Sequence, residues 1–496
     1  MTPPNGMGVP YIGRPTNELT VPSWLIGKSV LFYVIALLAC SVVWGHPIEM
    51  QYIIVSVTSV LLFFYGCQTC GISWAKKSER SFIKNIFWVG VVVRLIWIIY
   101  CYFFFNPEHY GNTYGHTADV DWYMPFGQDI AQWISDGMPI PFSVVMDRNL
   151  AGIDDVGYPV WLGVVYLLTG NASDVLIPFL IKSIIGSYSA ICIFHVAKRH
   201  FGEGVARMAA LFVALNPNMI YWCGSMMKEA EMVFLCCLCV DLADKTFSTG
   251  NKLSFKGLVP GLLVGVYLFF FRAPLAIVIF LAMFAHIVMA SSRVMNTGKK
   301  VIAGLMVGVV LLVGMGDRLR SQTERIRDSV ENNDEQQKQN FEWRSRREGG
   351  NSLALYASRT IFAPLIFTIP FPTFNDALSE QVVQKQTSGG SYIKNILSYF
   401  VLLVMFLMLI SGEWRRHVFI LAYTMGYLVT LVLSNYAQSG RFHMPIWPML
   451  MLFAAYGVQI SKSNSKYRRW FTIALCIEVV ACLIWNWFKL KGRGLI

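Results

Sequence analysis

Long apolar runs set the pattern of this chain, and short polar clusters punctuate them. The stretches "SWLIGKSVLFYVIALLACSVVWG", "MQYIIVSVTSVLLFFYGCQTCG" and "FWVGVVVRLIWIIYCYFFF" each approach the ~20 residues that a helix needs to cross a bilayer. Hydrocarbon offers no partner to a free N–H or C=O, so repeated runs of this kind predict helices rather than a barrel. The first three spans fall near 23–45, 50–72 and 87–106, and further runs near 157–170, 175–197, 205–222, 225–243, 256–272, 274–291 and 300–316. The expected fold is an all-α integral membrane protein, a polytopic helical bundle of about 11 to 13 transmembrane helices.

The polar punctuation divides the chain. Residues 1–22 form a Pro/Gly-rich polar tail, read as disordered, and 23–106 the first transmembrane helices. Residues 107–157 make an acidic loop with a juxtamembrane helix, and 158–316 a central transmembrane bundle. Residues 317–394 are a large polar loop with a candidate span at 353–374, and 395–496 carry the last transmembrane helices.

Charge then orients the bundle. The 41 Lys+Arg against 29 Asp+Glu give a net +12, but the cations cluster at span ends ("KKSERSFIK", "GEWRR", "SKYRR") rather than on one basic face, which excludes a nucleic-acid partner. Read as topology signals, Lys76, Lys77, Arg80 and Lys84 lie inside and place the 107–157 loop outside. Arg415, Arg416, Lys466, Arg468 and Arg469 put "SNYAQSGRFHMPIWP" on that same outer side. Residues 317–352 carry eight acids and eight bases. They lie inside if 157–170 is a full span and outside if it is a half-span; the many Arg favour the first.

The outer loop holds eight acids against one Arg, together with Trp122, Tyr123, Phe126 and Trp133. Disordered segments are poor in aromatics, and Tyr123, Phe126, Ile130 and Ile134 follow helical spacing, so "DVDWYMPFGQDIAQWI" is expected to form an amphipathic helix lying on the outer membrane surface. Asp119 and Asp121 within it read as a solvated pair, as a helix cap, or as catalytic acids. Residues i and i+2 on a helix point about 200° apart, so one of the two faces any given site and the other serves as cap or metal partner.

Arg441 and His443 stand just before a proline-started span. An external Arg works against the positive-inside bias and calls for a partner, and its planar guanidinium suits a phosphate. Lys228, with Glu229 and Glu231, and Arg272 in "YLFFFRAPLA" interrupt apolar sequence; such charges face a cavity or a partner, the plainest case being a Lys228–Glu pair that neutralises itself. The eleven cysteines sit mostly in apolar runs, and Cys67-x-x-Cys70 lacks the second pair of a metal site. No P-loop, GxGxxG, HExxH or GxSxG motif occurs in a supporting context. No motif identifies a cofactor, and a divalent cation beside the acids stays open. An outward cavity with carboxylates on one wall and cations on the other suits transfer of a head group from a phosphate-bearing lipid.

The order of "DVDWYMPFGQDIAQWI", "GYPVWLGVVYLLTG", "AKRHFGEGVARMAALFVALNPNMIYW" and "GRFHMPIWPMLMLFAAYG" resembles the GT-C superfamily of polytopic glycosyltransferases, which includes protein O-mannosyltransferases and lipid A aminoarabinose transferases. The resemblance implies an inverting transferase that takes a sugar from a polyprenyl-phosphate carrier to a glycan, lipid or protein acceptor. It implies Asp119 or Asp121 as general base, with Trp122 and Tyr123 in the substrate loop. It also implies Arg441, His443, Lys228 and Arg272 as donor-phosphate ligands, at the outer face of a bacterial inner membrane. "MMKEAE" and "FAPLIFTIPFP" also look like surface-polysaccharide polymerases that use polyprenyl diphosphate. A lipid-linked oligosaccharide flippase or other transporter is the alternative from outside the enzymes.

Overall fold

The computed structural model describes residues 20–44, 48–106, 118–139, 155–170, 175–248, 255–289, 302, 304–308, 371–375, 385–433 and 440–491. The readings of the N-terminal tail before residue 20, of the 317–352 loop and of most of the 353–374 candidate span lie outside the described residues. So do 107–117 and 140–154 of the acidic loop.

Among the described residues the secondary structure is helical throughout, and the chain is an integral membrane protein. The helices are α1 (Ser23–Val43), α2 (Met50–Trp74), α3 (Glu79–Tyr100, continued by a π-helical turn Cys101–Phe105), α4 (Ala118–Ser135) and α5 (Gly157–Thr169). Next come α6 (Leu176–Phe201), α7 (Glu203–Ala214), α8 (Pro217–Tyr221, leading into a 3-10 turn Trp222–Gly224), α9 (Glu229–Ser248), α10 (Phe255–Phe271) and α11 (Ala273–Met289). The C-terminal part holds α12 (Ser388–Ser411), α13 (Val418–Leu433), α14 (Gly440–His443), α15 (Trp447–Lys462) and α16 (Ser465–Lys491).

Among the described residues seven helical stretches are long and apolar enough to cross a membrane, and four apolar helices are shorter. One of the short ones is α5: its 13 residues span about 20 Å at ~1.5 Å per residue, less than the ~30 Å of hydrocarbon. As a helix α5 is thus shorter than a full span. The Gly440–Lys462 stretch is buried along its whole apolar window, whereas Met50–Trp74 and Ser465–Trp487 bury 28% of theirs. The α14–α15 stretch thus passes through the centre of the bundle, while α2 and α16 turn Ile54, Ile473 and Ile477 outward, as lipid-facing helices do.

One end of the bundle is pinned by charge. Lys198 pairs with Glu79; Arg199 reaches Asp241 at 2.6 Å and Asp244 at 2.5 Å; His200 lies 2.7 Å from both Asp244 and His417. Arg207 donates to the carbonyls of Trp74 (3.1 Å) and Lys77 (2.7 Å). These contacts gather the C-terminal ends of α6 and α9 with the α2–α3 turn, at the end marked by Lys76, Lys77 and Arg416. The chain reverses there at Gly202, whose φ of 87° no side chain adopts readily.

From that end α7 rises for 12 residues and then breaks. Asn216 caps the next short helix, its side-chain oxygen accepting from the N–H groups of Asn218 and Met219 with Pro217 at the first turn. A break inside an apolar bundle frees carbonyls, and side chains of α3 and α6 take them: Arg94 the carbonyl of Ala214 (2.9 Å), Trp97 that of Tyr221 (3.0 Å), Asn106 that of Gly224 (3.2 Å), and Lys182 those of Ser225 (2.8 Å) and Met227. The chain emerges into α9 at the opposite end of the bundle from the basic clusters.

Helix α4 forms where its spacing predicts, with Tyr123, Phe126 and Ile130 buried. Its apolar face is covered by α5, a difference from the expected face toward lipid. The cause is close packing: a Cβ on Gly163 would stand 2.6 Å from Ile130, and one on Gly127 2.9 Å from Leu162.

Gly163→Ala is therefore expected to destabilise the protein by about 1–3 kcal/mol through overpacking. Gly27→Ala, where nothing lies within 4 Å, should be neutral; thermal unfolding in detergent compares the two. A second expectation concerns pH. Burial, then His200 and Arg416 nearby, lowers the His417 pKa from 6.5 to about 3, so below about 6.5 the unfolded chain binds the extra proton. Stability contributed by neutral His417 is full above pH 6.5 and is lost as pH falls toward about 3, by up to about 1.4 kcal/mol per pH unit. A pH series of unfolding temperatures should show this slope, and His417→Gln should flatten it.

Candidate functional site

Asp119 opens α4, Asp155 directly precedes α5, Lys228 and Glu229 lead into α9, Arg272 follows α10, and Arg441 lies in α14. The structure brings these six side chains together at the end of the bundle away from the basic clusters.

Arg441 is the centre. Its Nη2 lies 2.6 Å from Asp119 Oδ2 and its Nε pairs with Glu229. The two carboxylates differ in exposure: the Asp119 side chain is 41% exposed, Glu229 is fully buried, and Arg441 is 15% exposed. Glu229 is a fixed counter-ion inside the protein, and Asp119 is a wet one on a surface helix. Phe442 lies between two guanidiniums, that of Arg272 at 4.4 Å from its ring centre and that of Arg441 at 5.9 Å.

Lys228 is fully buried and pairs with Asp155, and its ammonium donates to the carbonyl of Phe271 at 3.1 Å. The expected Lys228–Glu neutralisation is not what forms. Adjacent residues at a helix start point apart, so Glu229 turns to Arg441 and Lys228 finds its acid on a different loop. Asp155 holds a φ of 73°, a left-handed conformation that Asp tolerates better than most side chains. The approach of its neighbour Gly157 to Phe271, where a Cβ would stand 2.7 Å from the ring, brings the loop to Lys228.

The remaining expected site residues divide. Tyr123 is buried against Tyr158, ring centres 5.0 Å apart. Burial pushes its phenol above the usual tyrosine range; Arg441 pulls the other way, while Asp119 and Glu229 push up. Trp122 is half-buried and packs on Phe126 at 5.1 Å. Asp121 is exposed on the far side of α4 from Asp119, as the 200° argument requires of one member of the pair. His443 is fully buried in the turn after Arg441.

Sequence reasoning missed one member and mispaired another. Asp155 was one acid among eight in the loop; its signal is the "DDVGYP" turn at the start of an apolar run. Glu229 was assigned to the wrong partner. Among the described residues no group of three or more His, Cys, Asp or Glu is disposed to hold a metal ion. Asp119, Glu229 and Asp155 each carry a cationic side chain instead.

The cluster thus holds three carboxylates and three cations, with one exposed carboxylate on the central guanidinium. It can exchange that carboxylate for another anion without leaving Arg441 unpaired. Glu229→Gln is expected to cost about 3–5 kcal/mol, because it removes the buried partner of a buried charge. Asp119→Asn, at an exposed pair, should cost about 1 kcal/mol or less; denaturation of the two purified variants measures the difference.

No model of a known protein family matches the chain, and no curated protein matches it.

Proposed function

We propose that this cluster is the catalytic centre of a membrane glycosyltransferase, moving a sugar from a polyprenyl-phosphate carrier to a hydroxyl of a glycan, lipid or protein acceptor. The reaction would take place at the outer face of the inner membrane, in cell-surface glycan assembly. The observation that carries the reading is the unequal pair of carboxylates on Arg441; the resemblance to GT-C glycosyltransferases supports it.

A donor phosphate takes the side of the guanidinium that Asp119 holds, with the bidentate geometry Arg offers phosphate. Glu229 keeps Arg441 in place throughout. Asp119, released, accepts the proton of the acceptor hydroxyl. The acceptor oxygen then bonds to the anomeric carbon as the bond from that carbon to the phosphate oxygen breaks, and the electron pair leaves with the phosphate. Arg441 and Arg272 stabilise the charge that develops there, and Lys228 adds a buried positive charge at the floor of the site. Three cations at one mouth also suit a diphosphate leaving group, the chemistry of a polysaccharide polymerase, and the carrier released separates the two.

The test is release of polyprenyl phosphate or diphosphate from lipid-linked sugar mixed with acceptor extract. Asp119→Asn is expected to lose about 10²–10⁴-fold in turnover, and Asp121→Asn to stay near wild type. Arg441→Ala should no longer retain the donor lipid. Full activity in Asp119→Asn, or no carrier released by the folded wild type, would sink the reading and turn attention to transport.

A further inference from the structure

The outer cluster leaves one buried donor unused. Tyr123 follows Asp119 by four residues on α4, so the two side chains lie on one face of that helix, one turn apart. Asp119 is the wet member; Tyr123 is fully buried, and among the described residues its hydroxyl meets no hydrogen-bond partner. The ring is held edge-on by Tyr158, 5.0 Å between centres, and the Lys182 ammonium lies 5.0 Å from the centre of the Tyr158 ring in turn. The phenol is therefore fixed while its O–H is idle. The charges that act on it are those of Arg441, Asp119, Glu229 and Arg272, which sets the idle donor within the site rather than in the apolar core.

Long side chains on a helix lean back toward its N-terminus, which carries the Tyr123 hydroxyl toward the turn of Asp119. A buried hydroxyl without an acceptor is costly, and such a cost is kept where another state of the protein uses the group. Glu229 Oε2 also lacks a partner, but Arg441 fixes that carboxylate through its other oxygen, and the two unused atoms do not meet. Asp119 is the acceptor that moves. We infer that Tyr123 is a positioning residue for the base: when an anion takes the place of Asp119 on Arg441, the released carboxylate turns to the Tyr123 hydroxyl. The inference rests on the exchange proposed above. One carboxylate oxygen then accepts from Tyr123, which keeps its own proton, and the other is left to take the proton of the acceptor hydroxyl. A released carboxylate without that anchor rotates in water, and its orientation is lost.

The experiment adds farnesyl phosphate to the detergent-purified full chain and records the infrared difference spectrum of its tyrosine hydroxyl bands. Wild type and Asp121→Asn should show one tyrosine hydroxyl becoming a donor to a carboxylate, and Tyr123→Phe and Asp119→Asn should not. In carrier release, Tyr123→Phe should lose roughly tenfold in kcat with KM unchanged, and its unfolding temperature without ligand should match or exceed that of wild type, since the hydroxyl it lacks is unpaired at rest. No band in wild type, an undiminished band in Asp119→Asn, a raised KM at unchanged kcat, or a lowered unfolding temperature in Tyr123→Phe would each overturn the inference. The spectrum needs no turnover: a Tyr123 band that requires Asp119, in a wild type that releases no carrier, keeps this role for Tyr123 and defeats the transferase reading alone.

Discussion

Between Ala214 and Glu229 the chain abandons regular helix inside an apolar bundle, and every carbonyl it frees must find a donor there. An unpaired buried carbonyl costs about 1–3 kcal/mol, and the stretch survives because Arg94, Trp97, Asn106 and Lys182 reach across from α3 and α6. Irregular backbone within a membrane protein is tolerated where protein covers it. The reward of the arrangement is position: the break delivers Lys228 and Glu229, two fully buried charges, to the mouth of the bundle at the start of α9.

There the electrostatics close locally. Arg441 arrives from the C-terminal helices with little water around it and would be strongly destabilising alone. Glu229 from the broken segment and Asp119 from α4 neutralise it, and Asp155 from the start of α5 neutralises Lys228. Because α4 is held to α5 through Gly127 and Gly163, the exposed carboxylate sits on a firm support while remaining open to exchange. A balanced cluster with one wet member differs from a buried structural ion pair, in which both partners are locked.

Much of this was legible in the sequence, for identifiable reasons. Span-length apolar runs are hard to read otherwise, and the helical spacing of Tyr123, Phe126 and Ile130 foretold α4. Charge bias placed Asp119 and Arg441 on the same side before any geometry was known. Which residue pairs with which was not legible, since Glu229 and Arg441 lie far apart in the chain and only packing introduces them. Periodicity left open whether 157–170 crosses the membrane, because it does not fix where a helix ends; the helix formed there, α5, is 13 residues long. Arg94 and Lys182 were passed over as parts of apolar runs, although a lone cation in such a run is itself the signal that backbone carbonyls or a carboxylate wait nearby.

The account turns on Asp119 and the donor phosphate competing for one guanidinium, and the most direct measurement is the affinity of polyprenyl-phosphate sugar for wild type and for Asp119→Asn under conditions without turnover. Removing the competing carboxylate should leave Arg441 open and tighten binding by roughly three- to tenfold, in line with the modest strength of an exposed pair. Weaker binding in Asp119→Asn would contradict the account, because Asp119 would then be holding the donor rather than yielding its place to it.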